Sequence, residues 1–414
     1  MKGNNQLRIN GKRLWSTLMR SGEIGPGRAG GLRRLPLTDA DRDMRDQFVA
    51  WCEEAGCQVT VDRIGNIFAR RAGDDDNLPP VLIGSHLDTQ VAGGKYDGIL
   101  GVLSGLEVVR TLNDGGVATR RPIEVVCWTN EEGARFQPPM QCSGAFAGVM
   151  DVDSVLESRD DDGFVFKDEL ERIGYAGNAP VGGRDLDAYF ELHIEQGPEL
   201  EANNLALGVV VGGYFSRGMV FEVLGENAHA GPTPMHIRRN ALVGASMLVV
   251  AANDIGWDFH PGQGKSTATR MLVWPNKPGI LPDWAEITVD FRHPDKASTL
   301  EMEARMLAAV PGIAKRANVD IKMVKSWAFG DEAFDDQCLD LVRETADELE
   351  VPYQEMLSQA GHDAYHMTRV TPTALLFSPC KEGITHNESE HIELAYTEPS
   401  VNVLLHAVLK RANR

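Results

Sequence analysis

Basic residues are fewer than acidic residues in this sequence. The 41 lysines and arginines stand against 60 aspartates and glutamates, which gives a formal net charge of −19. Such an acidic balance argues against nucleic acid or an anionic membrane surface as a partner. Long apolar runs are absent too: none approaches the roughly 20 residues that span a membrane, and residues 1–15 lack the apolar core of a secretory signal. We therefore expect a soluble protein with no nucleic-acid partner and no membrane partner.

Cysteine is scarce and follows no metal-binding or disulfide pattern. The six cysteines, at positions 52, 57, 127, 142, 338 and 380, form no C-x-x-C pair. Cys127 lies within an apolar strand pattern, where a thiol behaves as a small buried hydrophobe. The cysteines therefore predict free thiols in a reducing cytoplasm.

The residues that are present describe an ordinary globular protein of more than one domain. A chain of 414 residues exceeds what a single core usually organises. Strand 81–84, helix 98–113 and strand 122–128 follow one another as a right-handed βαβ unit of an α/β domain. Further helices are predicted over 7–20, 38–55, 335–348 and 396–411, and further strands over 59–69, 188–194 and 373–377. In such sheets ligands bind at the carboxyl ends of the strands.

From about residue 214 the pattern changes to strands that are apolar on one face. The order is strand-helix-strand-strand-helix-strand, with strands at 219–225, 267–275, 284–294 and 318–324 and helices at 238–252 and 297–309. This order predicts a four-stranded antiparallel sheet with two helices, a ferredoxin-like α+β domain inserted in the first. The predicted boundaries are 1–213 and 332–414 for the catalytic domain and 214–331 for the inserted domain.

Potential metal ligands gather beside the predicted strand ends. They are His86, Asp88, Asp97, Glu131, Glu132, His193, Glu195, His362, Asp363 and His386. Each alone has an ordinary explanation as a hydrogen-bonded loop residue, but three strand-to-loop junctions deliver them together, within glycine-rich backbone that permits close approach. Imidazole and carboxylate without cysteine are the ligands of a catalytic Zn²⁺, Mn²⁺ or similar ion. A two-metal hydrolytic site also needs a bridging carboxylate and a second carboxylate that is a base and not a ligand.

The residues alone leave several assignments open. They do not decide whether His362 or His386 is a ligand. The string GHDA (361–364) suits a loop that hydrogen-bonds to backbone as well as it suits a substrate site. Glu195 is expected to be an ordinary hydrogen-bonded acid.

Seven strings, in order along nearly the whole chain, resemble a known family. They are GSHLDTQVAGGKYDG (84–98), TNEEGARF (129–136), HIEQGP (193–198), HAGPTPM (229–235), DFRH (290–293), GHDA (361–364) and THNESE (385–390). They resemble the dinuclear metallopeptidases that include aminoacylase and carboxypeptidase G, and most of all their carbamoylase branch. That branch contains N-carbamoyl-L-amino acid hydrolase, yeast-type β-alanine synthase (β-ureidopropionase) and allantoate amidohydrolase. The implied fold is a mixed-sheet α/β catalytic domain with an inserted dimerisation and lid domain.

The resemblance implies two divalent metal ions in each subunit. Asp97 would bridge them, His86 and His193 would complete the ligands of one, and Glu132 and His386 those of the other. Zn²⁺ is the expected ion, while Mn²⁺, Co²⁺ and Ni²⁺ suit the same ligands.

The resemblance also implies roles for residues around the metals. Glu131 would be the general base that activates the bridging water and later protonates the leaving nitrogen. Asp88 would accept the other N–H of His86 and fix its tautomer. His229, in the inserted domain, would donate to the tetrahedral oxyanion across the interface of a homodimer.

Substrate-binding residues follow from the same resemblance. Asn276 and Arg292 match the residues that hold the substrate carboxylate, a task for which the guanidinium fork is suited. Gln196 matches the residue that hydrogen-bonds the ureido group, which ordinary peptidases do not need. Gly361 and His362 are expected beside the substrate.

The implied reaction is hydrolysis of the ureido C–N bond of an N-carbamoyl-L-amino acid or N-carbamoyl-β-alanine, giving the amino acid, CO₂ and ammonia. Allantoate, another ureido acid, is the alternative substrate. A dipeptidase or aminoacylase is disfavoured by Gln196 and by the pair Asn276 and Arg292. A non-catalytic binding protein on the same fold is disfavoured because Glu131 and all the ligands are present.

Overall fold

The computed structural model describes residues 7–414. Within them the chain forms strands β1 (Gln58–Val61), β2 (Ile67–Arg71), β3 (Val81–His86), β4 (Ile123–Trp128), β5 (Ala188–Ile194), β6 (Leu207–Gly213), β7 (Phe215–Leu224), β8 (Lys265–Trp274), β9 (Trp284–His293), β10 (Asp320–Phe329), β11 (Tyr353–Ser358) and β12 (Thr373–Ser378). The α-helices are α1 (Gly11–Ser21), α2 (Asp39–Glu54), α3 (Ile99–Asp114), α4 (Gln141–Phe146), α5 (Val152–Leu156), α6 (Phe166–Arg172), α7 (Glu199–Ala202), α8 (Ala241–Phe259), α9 (Lys296–Ala317), α10 (Asp336–Glu348), α11 (Asp363–Met367) and α12 (Leu394–Ala412).

The chain divides into two compact units. The second unit is Gly212–Glu332, and the first consists of the chain up to Val211 and from Ala333 onward. A role of the second unit as a dimerisation and lid domain stays a prediction.

The first unit is built on an eight-stranded mixed sheet. Its strand order is β1-β2-β4-β3-β5-β12-β6-β11. The four neighbours β4, β3, β5 and β12 are parallel, while β2 and β6 join them antiparallel. Every residue of the four parallel strands is buried, which explains why they appear in the sequence as nearly continuous apolar runs. The predicted βαβ unit is confirmed as β3, α3 and β4.

The second unit is a four-stranded antiparallel sheet with two long helices. The strand order is β10-β7-β9-β8, and the sequence order strand-helix-strand-strand-helix-strand is the one predicted. The alternating residues Met219, Phe221 and Val223 of β7 and Ile287, Val289 and Phe291 of β9 belong to one apolar core with residues of α8 and α9. One face of this sheet is therefore covered by both helices.

Residues Ala241–Gly262, which contain α8, have a mean hydropathy of 1.2 over an 18-residue window, and 33% of that window is buried. Length and composition alone would let this helix cross a membrane. Ala245, Leu248 and Ala252 nevertheless pack in the core of their own unit, and one helix of this kind is weak evidence for a membrane span.

Arg45, which forms a buried ion pair within α2, fixes this helix against loops at the strand ends of the first unit. Arg45 Nε donates to Asp41 Oδ2 at 2.8 Å, and both side chains are buried. The same guanidinium donates to the carbonyl oxygen of Gly65 at 2.8 Å and to Thr129 Oγ1 at 3.2 Å. Thr129 directly follows β4, so this contact holds the segment that leads into Glu131.

Removal of the carboxylate from this pair is expected to destabilise the protein. Asp41→Ala would leave the Arg45 charge buried without its carboxylate partner, a change that costs about 3–5 kcal/mol in comparable pairs. The free energy of unfolding, measured by denaturant titration, tests this. Asp43→Ala, on the same helix but in an exposed pair with Arg42, is the matched control and should change little. Equal effects of the two substitutions would contradict the account of the buried pair.

Candidate metal centre and active site

Four parallel strands deliver polar side chains to one edge of the large sheet. His86 is the last residue of β3, His193 is next to last in β5, and Glu131 and Glu132 follow the end of β4. His386 lies in the loop after β12. Because parallel strands end at the same edge, residues far apart in the sequence come together there.

Asp97 is the centre of the cluster. Its Oδ1 lies 3.1 Å from His193 Nε2 and 3.7 Å from His86 Nε2, while its Oδ2 lies 3.5 Å from His386 Nε2. His386 Nε2 is also 3.2 Å from Glu132 Oε2. Two trios result, His86–Asp97–His193 and Asp97–Glu132–His386, and in each trio the ligand atoms lie within 4.8 Å of one another.

The donor chemistry of the two trios fits a pair of divalent ions. Each trio offers imidazole and carboxylate donors without cysteine, the set found in catalytic zinc and manganese sites. Asp97 presents Oδ1 to His86 and His193 and Oδ2 to His386, so its carboxylate could contribute to holding both ions.

Main-chain carbonyl groups orient two of the imidazoles. His86 Nδ1 lies 3.0 Å from the carbonyl oxygen of Asp88, and His193 Nδ1 lies 2.9 Å from that of Ile194. A proton on each Nδ1 satisfies these carbonyls and leaves a lone pair on each Nε2. In His193 this lone pair accepts the main-chain N–H of Gly98 at 3.1 Å, a bond that an ion at Nε2 would replace.

The expectation for the Asp88 side chain differs from the structure. Its carboxylate oxygen is 3.9 Å from His86 Nδ1, too far for a hydrogen bond. The two oxygens instead accept the main-chain N–H groups of Glu131 and Glu132, each at 3.2 Å. Asp88 therefore orients His86 through its backbone and positions the tandem glutamates through its side chain.

Glycine at position 98 allows Asp97 to approach His86. Gly98 has φ +68°, and a Cβ there would lie 2.3 Å from Cε1 and Nε2 of the His86 ring. Both the left-handed backbone and the lack of a side chain are therefore needed.

The charges at the centre make ion binding dependent on pH. Burial lowers the pKa of His193, but the charge and the hydrogen bond of Asp97 together with the charge of Glu191 raise it to about 9. The carboxylate of Glu132, followed by Asp97, raises the pKa of His386 to about 10. A divalent ion must displace these protons, so metal affinity should rise with pH.

Glu131 belongs to neither trio. Its Oε2 lies 3.4 Å from His86 Nε2, and the side chain is buried. Burial raises the pKa of Glu131 well above its usual value, and the charges of Asp363 and Glu132 add to the increase. A carboxyl group beside the donors with a raised proton affinity has the placement required of a general base.

Gln196 also faces Asp97. Its Nε2 donates to Asp97 Oδ2 at 2.8 Å. Its Oε1 is buried and has no hydrogen-bond partner within residues 7–414. A buried carbonyl oxygen without a donor is costly, which makes it a candidate acceptor for a ligand N–H.

The structure distinguishes His386 from His362. His362 is 1% exposed, its ring lies edge-on to His193 with the centroids 4.5 Å apart, and its Nε2 is 3.0 Å from Ser358 Oγ. A third trio, Glu191–His193–His362, also lies within 4.8 Å. Its carboxylate is already used, because Glu191 accepts hydrogen bonds from Ser85, Tyr189 and the N–H of Ala364. His362 therefore packs against His193 in the protein interior, and a place for Gly361 and His362 beside the substrate stays a prediction.

Glu195 is an ordinary hydrogen-bonded acid, as expected. Its two oxygens accept the N–H groups of Glu199 at 2.7 Å and Leu200 at 2.9 Å, at the start of α7. It takes no part in either trio.

The other three candidate residues belong to the second unit and do not form one cluster there. His229 is exposed and pairs with Ile280, in the segment after Asn276. That segment adjoins the end of the β8–β9 pair at which Trp274 lies opposite Trp284. Arg292 is eight residues along β9 from Trp284, roughly 27 Å away at about 3.4 Å per residue. Asn276 and Arg292, expected to act together, thus lie at opposite ends of their sheet.

A mixed α/β sheet that places two His/carboxylate trios around one aspartate, with a further carboxyl group outside both, defines the class of metal-dependent hydrolases. A family model described as Peptidase family M20/M25/M40 matches residues 82–410, and the chain belongs to this family. Enzymes of the family depend on metal ions.

Comparisons with individual proteins indicate the branch. An N-carbamoyl-L-amino-acid amidohydrolase of Rhizobium meliloti is 44% identical over 405 residues, which are 98% of this chain and 97% of the relative. An allantoate amidohydrolase of Bacillus subtilis is 28% identical over 392 residues, 94% and 95% of the two chains. A solved amidase of the hydantoinase/carbamoylase family from Burkholderia vietnamiensis has a TM-score of 0.97 and 47% identity, over 99% of both chains. The resemblance to the carbamoylase branch and the mixed α/β fold are thereby confirmed.

Proposed function

We propose that this protein hydrolyses the ureido C–N bond of N-carbamoyl-L-amino acids, giving the amino acid, CO₂ and ammonia. The observation that carries the proposal is the 44% identity, over 98% of the chain, to an enzyme named for this reaction. The trios around Asp97 and the separate Glu131 supply the groups that the reaction needs.

Two divalent ions would be held by His86, Asp97, His193, Glu132 and His386. When bound, ions at such sites polarise a carbonyl group and make water more acidic. Zn²⁺ is the ion we propose, with Mn²⁺, Co²⁺ or Ni²⁺ able to occupy the same donors.

The protein's own residues carry the proton and bind the substrate. Glu131 takes a proton from the attacking water at its carboxylate and returns it to the leaving nitrogen. The unpartnered Oε1 of Gln196 accepts an N–H of the ureido group. Arg292, whose Nε donates to Asp290 Oδ1 at 2.6 Å, binds the substrate carboxylate through its guanidinium group.

We also propose a homodimer formed through the second unit. Val243, Val250 and Trp257 are 41%, 58% and 67% exposed on α8. Their spacing of seven residues aligns them on one side of the helix, away from the buried side that includes Leu248. An exposed apolar stripe of this kind suits contact with a second copy.

In this dimer, His229 would act on the active site of the other subunit. The N–H of Gly231 donates to His229 Nδ1 at 3.1 Å, so neutral His229 carries its proton on Nε2. An exposed Nε2–H is the donor that a developing oxyanion requires. His229 and Asn276 lie near the Trp284 end of β9, and Arg292 lies near its other end. This separation also favours a site completed by residues of two subunits.

Subunit mixing tests the contribution in trans. His229→Ala and Glu131→Gln proteins are each expected to be nearly inactive. Heterodimers formed from equal amounts should regain about a quarter of wild-type activity, because half of the dimers are mixed and each mixed dimer has one intact site. Native mass spectrometry verifies that mixed dimers form. Their presence without recovered activity would show that His229 does not act across the interface.

Ammonia release by metal-reconstituted enzyme tests the reaction itself. The substrates are several N-carbamoyl-L-amino acids, their D-enantiomers, N-carbamoyl-β-alanine and allantoate; a dipeptide is tested in parallel by the release of its free amino acids. We expect the highest kcat/KM with an N-carbamoyl-L-amino acid. Allantoate is the second candidate because of the Bacillus subtilis relative. Failure to hydrolyse any ureido compound would overturn the proposed function.

The six cysteines are all free and buried. This state is what a reducing compartment maintains, and it supports the proposal of a cytoplasmic protein.

A further inference from the structure

Glu390, the last residue of the THNESE string, is a buried acid without a role in the proposed reaction. Its Oε1 accepts the main-chain N–H of Tyr96 at 2.9 Å and that of Asp97 at 3.1 Å. Its Oε2 lies 3.1 Å from Thr385 Oγ1. One carboxyl group therefore binds both the loop that carries Asp97 and the loop that carries His386.

Thr385 connects the same two loops a second time. Its Oγ1 lies 2.8 Å from Asp97 Oδ2 as well as 3.1 Å from Glu390 Oε2. The hydroxyl of Thr385 thus lies between two carboxyl groups: that of Glu390, which binds the main chain at Asp97, and that of Asp97 itself.

The backbone is shaped to receive Glu390. A Cβ at Gly94 would lie 2.0 Å from Cδ and Oε1 of Glu390, so any other residue at position 94 would displace this carboxyl group from its position. The close approach, the two N–H bonds and the threonine contact all act on the Asp97 loop.

Glu388, two residues earlier in the string, makes a contrasting set of contacts. Its carboxylate accepts the N–H groups of Arg28 and Gly31, each at 3.1 Å, and that of Ala29. These bonds fasten the same segment to residues 28–31 without touching Asp97.

We propose that Glu390 is a positioning residue for the metal centre. By binding the main chain at Asp97 and the hydroxyl of Thr385, it holds the shared carboxylate against His386 and thereby sets the affinity of the Asp97–Glu132–His386 trio for its ion. This inference rests on the metal centre of the proposed function.

The test is a titration of metal-free protein with Co²⁺, in which visible absorption measures binding. Each variant is also made in a His86→Ala background, which removes a donor from the other trio. Glu390→Ala should weaken Co²⁺ binding by at least about tenfold, the usual effect of losing a group that orients a ligand. Glu390→Gln retains an oxygen acceptor for both N–H groups and should stay close to wild type.

Two further variants make the result specific. Glu388→Ala removes three backbone hydrogen bonds from the same segment and should leave Co²⁺ affinity unchanged. Thr385→Val removes only the hydroxyl and should lose part of the affinity. It carries the test if Glu390→Ala does not fold.

Wild-type affinity in both Glu390→Ala and Thr385→Val would overturn the inference. An equal loss in Glu388→Ala would also overturn it, because the effect would then be general to the segment, and so would a Glu390→Gln variant as weak as Glu390→Ala. A wild-type protein that binds two Co²⁺ ions but hydrolyses no ureido compound would refute the proposed reaction alone. A wild-type protein that binds no Co²⁺ would refute both.

Discussion

Replacement of Glu131 by glutamine is expected to lower kcat by about 10²–10⁴-fold, the usual contribution of a general acid–base group, while the metal content stays at the wild-type level. The side chain keeps its shape but can no longer take a proton from water. Because Glu131 belongs to neither trio, the ions should bind as before. Steady-state ammonia release and metal analysis of the same preparation measure the two quantities.

Glu132→Gln is the matched control for this prediction. It makes the same chemical change one residue further along, on a side chain whose Oε2 lies 3.2 Å from His386 Nε2. Metal should be lost from this variant. If Glu131→Gln loses metal and Glu132→Gln keeps it, the two glutamates have exchanged roles.

Asp97→Ala is expected to abolish both metal binding and turnover. Asp97 is the one residue common to the two trios, so its removal leaves two donors in each. Sites with fewer than three protein ligands seldom retain a catalytic divalent ion. Metal analysis after dialysis should show less than one ion per subunit.

His386→Ala provides the comparison for Asp97→Ala. It removes one donor from a single trio and should leave about one ion per subunit, held by His86, Asp97 and His193. Retention of two ions by Asp97→Ala would contradict the bridging role.

Much of the first unit could be predicted from the sequence because its central strands are buried on both faces. Strands β3, β4, β5 and β12 are short apolar runs that end in polar loops, and this pattern predicts both the strand and the position of the site. By contrast, β11 has only two buried residues among six, so its own sequence, YQEMLS, carries no clear strand signal. The helices α4 to α7 are too short for apolar periodicity to be recognised.

The cluster at Asp97 depends on contacts that the sequence alone could not order. His362 and His386 both stand in polar strings, yet only His386 reaches Asp97 and Glu132. Its φ of +49° turns the loop in a way that few residue types other than glycine adopt, and spacing does not predict such a turn.

Asp88 shows a second limit. A carboxylate two residues after a histidine suggests a direct contact between the two side chains. In the structure the nearby main-chain carbonyl takes the imidazole proton, and the carboxylate is free to bind the N–H groups after β4. The sequence around Asp88 does not indicate that its side chain faces the residues that follow β4.

Anomalous diffraction from crystals of the Zn²⁺-loaded protein tests the central claim most directly, because it locates the ions without an assumption about substrate. The account predicts two peaks per subunit, with Asp97 in contact with both, His86 and His193 in contact with one, and Glu132 and His386 in contact with the other. A single peak, or a peak held by Glu191, His193 and His362, would contradict it.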